Sequence, residues 1–213
     1  MLLALDSATP AVTVAVADGE RVLAERTTVD PRRHGELVAP AVAGVLADAG
    51  IARTDLTRIA VGVGPGPFTG LRVGLVTART LGAVLSIPVV GVCTLDVLAL
   101  AAVDALGGPD VFRVVTDARR REVHWAEYVT DGGLRRVDGP HVEKPATAAW
   151  SGPCVGAGAA LYAEDFPGHA APVHPSAATL ATWVARGLPT TAPDPMYLRR
   201  PDAAEPGARK PVL

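Results

Sequence analysis

Short apolar, β-branched runs at Leu2–Leu5, Ala11–Ala17 and Arg21–Thr28 predict three strands, and Asp18-Gly19-Glu20 between the last two reads as a hairpin turn. From Glu36 to Ala49 the pattern changes period. Leu37, Val38, Ala41, Val42, Val45, Leu46 and Ala49 recur at helical spacing, and Gly50 is placed as a C-terminal stop. A strand over Ile59–Val63, a helix over Thr69–Ser86, a strand over Val89–Val92 and a helix over Leu95–Leu106 then alternate. The order βββαβαβα is that of the ribonuclease-H-like unit in the actin, hexokinase and chaperone ATPases. The expectation is therefore an α/β protein of the two-lobed, actin-like ATPase (ASKHA) class with a first lobe over residues 1–106. Gly107-Gly108-Pro109-Asp110 marks the break to a reduced second lobe over 107–200, with strands at Phe112–Thr116 and Val123–Val129 and a helix at Ala177–Arg186. Residues 201–213, rich in Pro, Ala and charge, are expected to form a flexible tail.

Composition narrows the partners. About half of the 213 residues are apolar, enough for a real core, and a formal net charge of -2 gives no general pull toward nucleic acid. Cys93 and Cys154 are the two cysteines and lack CxxC spacing, as expected for buried free thiols in a reducing compartment. The apolar start reaches Asp6 at once with no basic leader, so a cytoplasmic protein without membrane attachment is expected.

The segment from Val63 to Gly74, Val-Gly-Pro-Gly-Pro-Phe-Thr-Gly-Leu-Arg-Val-Gly, joins a strand to a helix start. Free backbone N–H groups and the positive helix end at such a turn suit a phosphate. It is neither a Walker A loop nor a dinucleotide fingerprint, and a turn where Gly and Pro serve geometry alone fits equally. Asp6-Ser7-Ala8-Thr9 closes the first strand where actin-like ATPases hold metal and phosphate, so Asp6, Ser7, Gly64 and Gly66 are the candidate nucleotide-binding residues; an ordinary strand-end turn is the other reading. His34 is expected as a cap or surface contact, no His pair has the spacing of a helical metal site, and no nucleophile arrangement marks a catalytic residue. Arg119-Arg120-Arg121 reads either as a phosphate contact or as a solvated turn.

The first two helices lack the broad charged face of a surface helix. Charge in Glu36–Ala49 stands only at its ends, with Ala39, Ala43, Gly44 and Ala47 opposite the core stripe. In the next helix Gly70, Gly74, Ala78 and Gly82 recur every fourth residue, with charge confined to Arg72 and Arg79. A partner interface built from Leu37, Ala43, Ala47, Gly70, Arg72, Gly74, Ala78 and Gly82 is one reading. Packing within the subunit is the other.

Asp6-Ser7-Ala8-Thr9, His34-Gly35-Glu36-Leu37-Val38-Ala39-Pro40, the run from Gly64 to Gly74 and the run from Ile87 to Asp96 together resemble the TsaB (YeaZ) family. The likeness continues more weakly through Asp117-Ala118-Arg119, Glu122-Val123 and Tyr197-Leu198-Arg199. Pro67 and Gly35 depart from the family pattern. The resemblance implies an actin-like pseudo-enzyme that supports the catalytic paralogue TsaD, joins the ATPase TsaE, meets tRNA only through that complex, and forms a homodimer when alone. The product implied for that complex is threonylcarbamoyladenosine beside the tRNA anticodon. Where TsaD carries an H-x-x-x-H metal pair, this chain has Thr94 and Leu98, which implies no metal and at most weak ATP or ADP binding. The competing readings are a nucleotide-binding transferase or a metallopeptidase-like enzyme in its own right, and a sugar-type kinase.

Overall fold

The computed structural model describes residues 1–199 as two five-stranded sheets with helices on their faces. The first sheet takes β1 (Leu2–Asp6), β2 (Ala11–Asp18), β3 (Arg21–Val29), β4 (Arg58–Gly62) and β5 (Val89–Val92) in the order β3-β2-β1-β4-β5. β1, β2 and β3 are antiparallel neighbours, whereas β4 runs parallel to β1 and β5 parallel to β4. Every residue of β1 is buried, so both of its faces need cover. Leu3 and Leu5 meet α1 (His34–Ala49) and α2 (Phe68–Leu85) through Val38, Val42, Leu71 and Leu75. Leu2 and Ala4 face the opposite layer, which includes Val97 of α3 (Thr94–Ala105).

That layer also takes a helix from later in the chain. The helix α5 (Ala177–Ala185), expected in the second lobe, packs Ala177, Leu180, Ala181 and Trp183 against Leu2, Ala4, Ala15 and Ala60 of the first sheet. Its start is anchored there too. The Glu25 carboxylate accepts from Ser176 Oγ at 2.7 Å and Ala178 N at 3.1 Å, and Thr13 Oγ1 accepts from Ala177 N at 2.9 Å. The second face of the first sheet is apolar and recruits the helix that can cover it, although that helix falls in the segment expected as the second lobe.

The second sheet has the order β10-β9-β6-β7-β8, from β6 (Val111–Asp117), β7 (Val123–Val129), β8 (Arg135–Glu143), β9 (Cys154–Val155) and β10 (His169–Ala170). Phe112, Val114, Ala126 and Tyr128 pack on α3; Val115, Val123 and Trp125 face Ala148, Ala159 and Phe166, with Ala159 on the short α4 (Ala157–Leu161). The lobes also meet through charge: the Asp96 carboxylate accepts from Tyr128 Oη at 2.7 Å and lies 3.4 Å from the Arg136 guanidinium. Between β6 and β7, Arg119, Arg120 and Arg121 all have left-handed backbones, with φ of 62°, 57° and 59°. The expected tail, 201–213, lies outside the described residues.

Candidate functional site: a filled glycine turn beside an interlobe cleft

The structure brings Asp6, Ser7, Gly64 and Gly66 together. The ends of β1 and β4 are adjacent in a parallel pair, so the loops leaving them share one edge of the sheet. Asp6 is fully buried, and its carboxylate accepts from Ala8 N at 2.7 Å and from Thr94 Oγ1 at 2.8 Å. Thr94 Oγ1 in turn accepts from Gly64 N at 3.2 Å. Ser7 Oγ donates to Gly70 O at 2.7 Å and accepts from Gly74 N at 2.9 Å, so the hydroxyl sits against one step of α2. These polar groups are engaged by the chain itself. A Cβ at Gly66 would overlap the carbonyl oxygen of Ala8, and one at Gly62 would overlap the Asp6 carboxylate. The Ala8 backbone packs directly against the Gly66 turn.

Burial pushes the Asp6 carboxyl up to about 6, against the opposing pull of its Ala8 and Thr94 hydrogen bonds. An unfolded carboxyl ionises near 3.8, so stability linked to Asp6 is full below that pH and lost as pH rises through 6. The loss amounts to roughly 3 kcal/mol by pH 7. His124 works in the opposite sense, because burial holds its ring down at about 4 and stability falls as pH drops below the usual histidine range. The two groups therefore pull the parent profile in opposite directions between pH 4 and 7. Asp6→Asn removes one side of this balance, so its stability relative to the parent should rise by up to about 3 kcal/mol from pH 4 to 7. Urea unfolding across that range is the measurement; a pH-independent difference rejects the account.

Beside the filled turn lies a cleft of about 300 Å³ whose lining includes Thr9, Arg32, His34, Thr69 and, from the second lobe, Arg119. The first turns of α1 and α2 both border it, and neither helix has a side-chain cap. His34, expected as a cap or a surface contact, is buried at the start of α1, with Nε2 donating to Thr9 O at 2.8 Å. That contact places the Thr9 loop over the helix start. Arg119 is half-exposed at the cleft and 3.6 Å from Asp117.

The small-residue strip of α2 faces inward, as the reading of packing within the subunit has it, and not toward a partner surface. Ala78 is fully buried, a Cβ on Gly74 would lie 2.5 Å from Ser7 Oγ, one on Gly70 would lie 2.9 Å from Ser7 O, and one on Gly82 would overlap Val89. The strip lets α2 approach its own sheet. Leu37 is half-buried, while Ala43, Ala47 and Arg72 are exposed. The outward face of α2 carries Phe68, Val76 and Val84, the last two 62% and 74% exposed. Phe68 stacks on Tyr197 at 5.2 Å, the Arg72 guanidinium lies 3.5 Å over the Phe68 ring, and Arg72 Nε donates to Tyr197 Oη at 2.6 Å. With Ala39, Ala43 and Ala47 exposed on α1, the two helices present apolar positions beside two held cations, Arg72 and the Asp194-paired Arg79. α2 is long and apolar enough to cross a membrane by length and composition, yet its inner face is core of the first lobe. Val76 and Val84 were missed in the sequence because a β-branched residue in an apolar helix has no mark of facing outward.

The family profile described as TsaD, tRNA N6-adenosine threonylcarbamoyltransferase, matches residues 21–192. An uncharacterized protein of Mycobacterium tuberculosis is 44% identical over 95% of this chain and 93% of its own length. The tRNA threonylcarbamoyladenosine biosynthesis protein TsaB of Escherichia coli is 38% identical over 61% of this chain and 55% of its own. The solved YeaZ of Pseudomonas aeruginosa superposes with a TM-score of 0.78 at 32% identity, covering 92% of this chain and 99% of that one. The shared two-sheet architecture spans nearly the whole described molecule, and the chain belongs to the TsaB (YeaZ) family.

Proposed function

We propose that this protein acts in the formation of threonylcarbamoyladenosine in tRNA as a non-catalytic partner of a TsaD-like catalytic paralogue, in a complex that also takes a TsaE-like ATPase. The observation that carries this reading is the outward face of α1 and α2, where Ala39, Ala43, Ala47, Val76 and Val84 stand exposed beside the Phe68–Arg72–Tyr197 stack. Exposed apolar residues on two neighbouring helices support an interaction site here. The same face pairs two copies when the paralogue is absent. Support for a non-catalytic role comes from the glycine turn, which is closed by Ala8, and from Thr94 and Leu98, whose side chains serve Asp6 and the core. A net charge of -2 favours meeting tRNA through the partner, and two buried free thiols suit the cytoplasm.

A second reading is favoured by the cleft: Arg32, Arg119 and two uncapped helix starts would take the phosphates of ATP or ADP weakly, displaced from the closed turn. Reconstitution tests both. The protein is mixed with the paralogue, the ATPase, threonylcarbamoyl donor and tRNA, and modified adenosine is measured with each component omitted. Product that needs this protein, with no turnover by it alone, is expected. ATP hydrolysis or transfer by the isolated protein rejects the non-catalytic role, and equal ATP affinity of the parent and Arg119→Ala rejects the cleft.

A further inference from the structure

Residues 189–199 cross from one lobe to the other. Thr191 pairs with Gly91 at the free edge of β5, by bonds of 2.8 and 2.9 Å, and a Cβ on Gly91 would lie 2.6 Å from Ala192 O. Further along, Met196 N donates to Val63 O at 2.8 Å, Asp194 pairs with Arg79, and Tyr197 joins the Phe68–Arg72 stack on the outward face of α2. The segment then reaches the second lobe. Arg199 donates to Ala118 O at 3.0 Å and pairs with the Glu122 carboxylate, gripping both ends of the turn that holds the three left-handed arginines. Within that turn Asp117 Oδ1 accepts from Arg119 N at 2.8 Å, Ala118 N donates to Glu122 O at 3.0 Å, and Glu122 N donates to Arg119 O at 3.1 Å. A run of three non-glycine residues at positive φ persists only where surrounding contacts over-determine it.

We propose that residues 189–199 form a strap that couples the outward face of α2 to the Asp117–Glu122 turn, so that whatever rests on Phe68, Arg72 and Tyr197 also fixes Arg119 at the cleft. Arg199 and Tyr197 are its positioning residues at the two ends. The coupling is a property of this chain alone; only the identity of the occupant rests on the function proposed above.

The test is amide hydrogen exchange at Ala118 and Glu122 in the full-length protein. Arg199→Gln should speed exchange at both amides about tenfold or more while core strands keep their protection, since a hydrogen bond to a charged group is lost. Tyr197→Ala, made in the opposite lobe, should speed the same two amides; Tyr197→Phe, which keeps the ring stack, should do so less. Adding the TsaD-like paralogue should slow these amides in the parent and leave them unchanged in Arg199→Gln. If Arg199→Gln has no effect, the turn holds itself and the strap is rejected. An effect of Arg199→Gln without one of Tyr197→Ala rejects transmission between the lobes. Failure of the paralogue to bind the parent rejects the proposed partner, while the two variants still decide the coupling.

Discussion

Gly66→Ala is expected to destabilise the protein by about 2–4 kcal/mol, because a methyl group there would overlap the Ala8 carbonyl oxygen and neither backbone can withdraw without opening the loop after β1. The cause is close approach. Positive φ belongs to Gly64, at 93°, and not to Gly66. Displacing Ala8 would disturb its 2.7 Å bond to Asp6, and through Thr94 the bond from Gly64 N, so one methyl group strains a continuous set of buried contacts. Gly35→Ala is the control: it sits in the first turn of α1 with open space around it and should be neutral or more stable by up to about 1 kcal/mol. Urea unfolding followed by circular dichroism compares the two. Equal stability of Gly66→Ala and the parent would mean that the turn is free to move away from Ala8.

Val76→Glu should leave the fold intact and weaken association by about 2–4 kcal/mol, a loss of some thirtyfold to a thousandfold in affinity. The side chain is already 62% exposed, so a carboxylate costs nothing in the free protein and must be desolvated only when the face is covered. Ala43→Glu on α1 should act in the same direction. Gly74→Glu cannot serve, because the new side chain would be driven into Ser7 and report unfolding instead. Light scattering after size exclusion and a pull-down with the paralogue are the measurements. Variants that remain folded and associate normally would move the interface elsewhere, first to the second lobe.

The first lobe was legible because its pattern is local. Strands buried on both faces read as unbroken apolar runs, α1 and α2 show their core stripes, and the loops after β1 and β4 had to meet once those strands were parallel neighbours. What spacing could not reveal was the identity of the neighbour. Residues without bulk at Gly70, Gly74, Ala78 and Gly82 announce a close approach, but Ser7 and Val89 of the same chain satisfy it as well as another molecule would. β8 was missed because Gly139 and Pro140 interrupt an edge strand that, among the described residues, pairs with β7 alone. The left-handed turn at Arg119–Arg121 carries no glycine signal at all. Its conformation is imposed partly by Arg199, about eighty residues away, and no local propensity encodes that.

The position of α5 also bears on how the chain acquires its structure during synthesis. The strands it covers are made before the helix that covers them, so Leu2, Ala4, Ala15 and Ala60 lack this part of their cover until roughly residue 185 has left the ribosome. Folding of the first lobe is thereby tied to completion of the second. A chain cut after residue 106 would retain the apparent first lobe and α3 yet expose the part of its sheet that α5 covers, making such a fragment a substrate for chaperones and aggregation rather than a minimal working unit.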